Sequence, residues 1–83
     1  MVIKKCKSFE NEGNDCWIKR SFTLVEDMGT MYLIYHYSVS GWSETDEMNT
    51  YMISDMDSLK SIISNICYPE ELEELLKEWD LFE

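Results

Sequence analysis

The order of sequence patterns predicts an α+β fold: a three- or four-stranded antiparallel β meander followed by two C-terminal helices packed on one face. Three observations predict it. Residues 2–53 are rich in β-branched and aromatic side chains that alternate with polar ones, the period of a half-buried strand. Turn formers punctuate that region at Asn11-Glu12-Gly13-Asn14-Asp15 and at Asp27-Met28-Gly29-Thr30. Beyond residue 54 the apolar spacing becomes helical. Strands run together and helices run together, which argues α+β rather than alternating α/β.

Each element follows from its residues. Residues 2–9 are expected to form a first strand through Val2, Ile3 and Phe9. Residues 16–25 place Ile18, Phe22 and Leu24 on one face and Trp17, Lys19, Ser21 and Thr23 on the other. Arg20 interrupts the apolar face, and this predicts a partly open edge there. Residues 31–39 carry Met31, Tyr32, Leu33, Ile34, Tyr35, His36, Tyr37 and Val39. Their high β-propensity on both faces predicts a central strand. Ser40 to Asp46 are expected to form a loop. Residues 48–53 alternate Met48, Thr50 and Met52 against Asn49, Tyr51 and Ile53, a last strand.

The helices are expected at about 55–67 and 69–80. Ser54, with Asp57 three residues on, resembles a capping box. Met56, Leu59, Ile62, Ile63 and Ile66 form one apolar stripe. Tyr68-Pro69 closes the first helix and opens the second, because proline suits the first helical position. Leu72, Leu75, Leu76 and Trp79 then recur at i, i+3, i+4 and i+7.

The bulk properties bound function. A chain of 83 residues makes one domain, spanning 1–83, with a thin core. The apolar fraction of 45% is too high for disorder. No apolar run approaches the ~20 residues of a spanning helix. The basic N-terminus has no apolar segment behind it, so no secretory signal is read. Three cysteines, Cys6, Cys16 and Cys67, fit reduced thiols. A cytoplasmic protein, here in a bacterial host cell, is expected.

Charge is the most informative property, at −10. Residues 1–20 hold five basic side chains (Lys4, Lys5, Lys7, Lys19, Arg20) against Glu10, Glu12 and Asp15. The remainder holds only Lys60 and Lys77 against fourteen acids. Direct binding to nucleic acid is disfavoured, since that needs a basic face to replace phosphate counterions. An anionic membrane is disfavoured for the same reason. A basic protein partner is favoured, bound by a monomer or small homo-oligomer.

Catalytic, metal and cofactor patterns are sparse. The one histidine, His36, lies inside the central strand without a framed nucleophile. Cys6, Cys16 and Cys67 lack the short spacing of a zinc knuckle. Asp55-Met56-Asp57 lacks the rest of a calcium loop. There is no Gly-rich phosphate loop. No enzyme, metal or cofactor is therefore expected.

The candidate partner-binding residues are the acids. Glu44, Asp46 and Glu47 cluster in the predicted loop, and Asp55 and Asp57 open helix one. Glu70, Glu71, Glu73, Glu74 and Glu78 are expected on the outer side of helix two. Helical spacing sets such carboxylates about 5–6 Å apart, a row that can imitate phosphates. Trp17 and Trp42 are candidate exposed aromatics, a residue type enriched at interfaces.

The join Asn49-Thr50-Tyr51-Met52-Ile53-Ser54-Asp55 is similar to the strand-to-helix join of one family of phage anti-CRISPR proteins. The likeness covers that segment, and this chain lacks the family's leading helix. The resemblance implies a DNA mimic that occupies the nucleic-acid groove of a CRISPR-Cas nuclease or effector complex. Two other readings remain open: an immunity protein that neutralises a basic nuclease toxin, and a generic intracellular interaction domain.

Overall fold

The computed structural model of the chain describes residues 1–41 and 44–80. Four strands, β1 (Val2–Gly13), β2 (Cys16–Asp27), β3 (Thr30–Gly41) and β4 (Thr45–Ile53), precede α1 (Met56–Ile66) and α2 (Pro69–Glu78). All neighbouring strands are antiparallel and lie in chain order, β1-β2-β3-β4. The chain is thus an α+β meander with two C-terminal helices, as its patterning predicts.

Strand boundaries moved outward from the sequence reading. β1 runs on to Gly13, so the polar cluster at 11–15 contracts to a turn at Asn14 and Asp15. Exposed strand ends tolerate polar side chains, and each added residue pair supplies cross-strand hydrogen bonds. The same effect extends β3 to Gly41 and starts β4 at Thr45, leaving little of the predicted 40–46 loop. Trp42, placed in that loop by the sequence, lies outside the described residues. Gly41 has φ +133°, and a Cβ there would come within 2.3 Å of the Asp15 carbonyl oxygen. Only glycine permits that approach of β3 to the first hairpin.

The second hairpin turns at Met28-Gly29, with φ of 53° and 80°. Two successive positive values are those of a type I′ turn, whose twist matches that of the strands. Glycine suits its position, whereas methionine is strained in the left-handed region.

Cross-strand register sorts side chains between the faces. Phe22 opposes Tyr35, Leu24 opposes Leu33, and Met31 opposes Ile53. This face receives the helices. Phe22, Leu24, Leu33 and Ile53 form one buried cluster with Leu59 and Ile63 of α1 and with Leu75 and Trp79. Phe9 meets Phe22 edge to face, with ring centroids 5.9 Å apart. The helical stripes read from the sequence therefore point inward, although Met56, the first residue of the α1 stripe, is exposed.

The cap of α1 is Asp55 rather than Ser54. Its carboxylate accepts the Ser58 N–H at 2.7 Å, which satisfies one of the free donors at the helix start. Ser54 lies within 3.0 Å of the Ser58 hydroxyl. No helix among the described residues is long and apolar enough to cross a membrane.

Two stability outcomes follow. Leu75 is fully buried, so Leu75→Ala should cost ~2–5 kcal/mol in urea unfolding. Met28 is 98% exposed, so Met28→Asn removes strain without touching packing. It should raise stability by about 0.5–1 kcal/mol in the same assay.

Candidate partner-binding surface

The ten carboxylates singled out from the sequence occupy three regions. Asp46 and Glu47 are consecutive on β4, so they point to opposite faces of the sheet. They do not form the loop cluster expected of them. Glu44 precedes the strand and is exposed. Asp46 faces away from the helices, and its carboxylate meets His36 Nε2 across the strand pair. Glu47 shares the helix-side face with Tyr37.

Asp55 is engaged as the α1 cap. Asp57 is exposed in the first turn of that helix, where the backbone dipole favours an anion.

On α2 the expectation of five outward acids holds for four. Glu70, Glu73, Glu74 and Glu78 are exposed. Glu71 is only 9% exposed and points into the protein. It follows Pro69 at the third helical position, so its carboxylate reaches back to accept the Tyr68 N–H at 3.3 Å. The same oxygen takes Arg20 Nη1. Glu71 is a structural group rather than a contact residue.

Arg20 is correspondingly not at an open edge. It is 4% exposed and lies on interior strand β2. Nη2 donates to the Ile66 carbonyl oxygen at 3.0 Å, at the end of α1. Nε donates to the Tyr35 hydroxyl at 3.2 Å. The guanidinium stacks over the Tyr68 ring, 4.5 Å from its centroid. Burial works to lower the Arg20 pKa, but the bonds to Tyr35 and Glu71 outweigh it and raise it. The charge is therefore retained. A buried ion is tolerated only with such complete pairing.

Lys7 of β1 supplies a second tie. Its Nζ lies 2.6 Å from Glu78 and 3.4 Å from Glu74. The bond to Glu78 leads in raising the Lys7 pKa, against the opposing effect of burial. Glu74 and Glu78 thus remain exposed, but part of their charge is answered by the sheet. At the start of β1, Lys4 lies 3.9 Å from Glu26, and Lys19 of β2 lies 3.9 Å from Glu10.

Cys67 sits beside the Arg20–Glu71 pair. Burial first, then the Glu71 charge, push its thiol up to about 11. It stays a neutral thiol at pH 7, with little nucleophilic character. Cys6, Cys16 and Cys67 are all free. Trp17 is exposed on β2, and its indole N–H donates to Glu12 at 3.1 Å.

The exposed acids that stand outside the ion pairs of the described residues are Glu44, Glu47, Asp57, Glu70 and Glu73, together with the capping Asp55. Sequence reasoning missed the Arg20–Glu71 tie. A signal for it was present in an arginine at an apolar-face position and a glutamate at the capping-box position after proline. Comparison with protein-family models, curated proteins and solved structures finds no match to the chain.

Removing one partner of a buried pair leaves the other charge uncompensated. Glu71→Ala should therefore cost about 3–5 kcal/mol. Glu73→Ala, on the solvent side, should stay within about 0.5 kcal/mol. Equal urea midpoints for the two variants would show that Arg20 does not depend on Glu71.

Proposed function

We propose that the chain is a non-enzymatic inhibitor that binds a basic, nucleic-acid-binding protein through its exposed carboxylates. A CRISPR-Cas nuclease or effector complex is the target class to which the anti-CRISPR resemblance points. One observation carries the reading. The protein's cations are largely engaged internally, by Glu26 for Lys4, Glu74 and Glu78 for Lys7, Glu10 for Lys19 and Glu71 for Arg20. The surplus of acids is left facing solvent. A field of that sign attracts a basic groove and repels nucleic acid.

The acids lie on several elements, so the contact is a surface of distributed charge rather than one helical row. Glu70 and Glu73 on α2, Asp57 on α1 and Glu47 on β4 are its best candidates. Glu71 and Asp55 are excluded from any test of it, because each has a structural task.

Glu47→Gln, Glu70→Gln and Glu73→Gln together should leave the melting curve nearly unchanged. The triple variant should slow association with a purified nuclease about tenfold or more at low salt, with a smaller change in dissociation. Association of the unaltered protein should weaken steeply as salt screens the charges. Duplex or guide nucleic acid should compete with it for the target. Unchanged association by the variant removes these three carboxylates from the contact. Binding that ignores both salt and saturating nucleic acid removes the mimicry mechanism.

A further inference from the structure

The face of the sheet turned away from the helices is uncovered, and its register sorts it into rows. Ile3, Val25, Tyr32 and Met52 stand side by side near the Met28–Gly29 turn. Cys6, Thr23, Ile34 and Thr50 form the next row, and Ser8, Ser21, His36 and Met48 the third. These three rows hold no Asp, Glu, Lys or Arg, in a chain of net charge −10. Charge enters only in the rows beyond them, where Glu10 pairs with Lys19 and Asp46 with His36. Met48 and Met52 are 66% and 69% exposed.

We propose that this face is the interface of a homodimer in which two copies pack sheet on sheet. Three observations select a second copy of this chain as the occupant. The first is shape. The radius of gyration is 13.6 Å and the extents are 41 × 27 × 18 Å, whereas a globular chain of this length has a radius of about 12 Å. The molecule is a slab with one broad side covered by helices.

The second is area. Five rows spaced by two residues along four strands make a face of roughly 650 Å² per copy, or about 1,300 Å² for the pair. That reaches the range of about 1,200–2,000 Å² in which specific interfaces fall.

The third is charge and relief. Two chains of the same high charge can approach only through a surface that is itself neutral, and this face is. The contact leaves the acids of both helical sides pointing outward. Small side chains lie on β1 and β2 (Cys6, Ser8, Ser21, Thr23), and large ones on β3 and β4 (Tyr32, Ile34, His36, Met48, Met52). A twofold axis parallel to the strands lays β1 and β2 of one copy over β4 and β3 of the other. Large side chains then meet small ones, as a self-complementary interface requires. Packed sheets about 10 Å apart accommodate that interdigitation.

This inference does not rest on the inhibitor reading, and salt separates the two. Screening weakens attraction between an acidic surface and a basic target, but it relieves repulsion between two acidic copies. Sedimentation equilibrium tests the proposal. The unaltered protein should have twice the single-chain mass of 9.9 kDa, and its dissociation constant should fall as salt rises. Met48→Lys with Met52→Lys should weaken self-association at least about 100-fold, since each lysine would be buried without a partner. Met56→Lys, on the exposed start of α1, should leave the dimer intact.

A single-chain mass at roughly 100 µM, well above the micromolar limit expected of such an interface, overturns the proposal and leaves the face to a different protein. Dissociation by Met56→Lys equal to that of the double variant overturns it too. So does self-association that weakens with salt, because ion pairs would then hold the copies. Should the double variant unfold, the mass of the unaltered protein and its salt dependence decide alone.

Discussion

A guanidinium buried between the sheet and the helix junction organises this protein. Arg20 projects from the middle of β2 into the layer where α1 ends and α2 begins. It accepts no compromise in its surroundings, because an unpaired buried cation is among the costliest groups a small domain can hold. The Ile66 carbonyl at the end of α1, the Glu71 carboxylate near the start of α2 and the Tyr35 hydroxyl of β3 each take one of its donors. These groups belong to three separate elements. Their convergence ties the turn between the helices to one place above the sheet. The interaction also answers a helix-end carbonyl that has no partner within its own helix.

The segregation of charge along the sequence has a structural meaning in this light. Basic residues concentrate in β1 and β2, and acids in the helical half. Lys7 and Arg20 face the helices, and Glu71, Glu74 and Glu78 of α2 come down to meet them. The N-terminal excess of positive charge is thus a docking surface for the chain's own second helix. It is not a site for nucleic acid. Closing that surface internally leaves the acids of the outer side unanswered, which is the physical basis of the proposed attraction to a basic partner.

The two faces of the sheet have different roles. The helix side concentrates Phe22, Leu24, Leu33 and Ile53 against Leu59, Ile63, Leu75 and Trp79, and it holds most of the core. Two short helices cannot cover more than one face of strands up to twelve residues long. The other face is left with apolar and small polar groups in cross-strand rows and with exposed methionines. Its lack of net charge is unusual for this chain and is the reason it suits contact between like-charged copies. The acidic helical side and the neutral sheet side present distinct surfaces, and both can be occupied at once.

The local elements were legible in the sequence because they rest on periodicity. Residues 16–25 and 31–39 alternate as strands must, Met28-Gly29 suits a hairpin turn, and Leu72, Leu75, Leu76 and Trp79 recur as a buried helical stripe. Their order sufficed for the α+β class. What pattern alone did not decide was where polar groups go. Arg20 looked like an interruption of an apolar face, and Glu71 looked like one more solvated acid on an acidic helix. Each is tolerable inside only because the other is there, and the two are separated by half the chain. Asp46 and Glu47 looked like one cluster until strand pairing extended through them and the pleat sent them to opposite faces. Ser54 and Asp55 were both able to cap α1, and backbone geometry chose the second. Period and propensity are properties of neighbours in sequence, and they determined the elements. The pairing of buried charges and the assignment of faces depend on residues brought together by folding, so only the tertiary structure decided them.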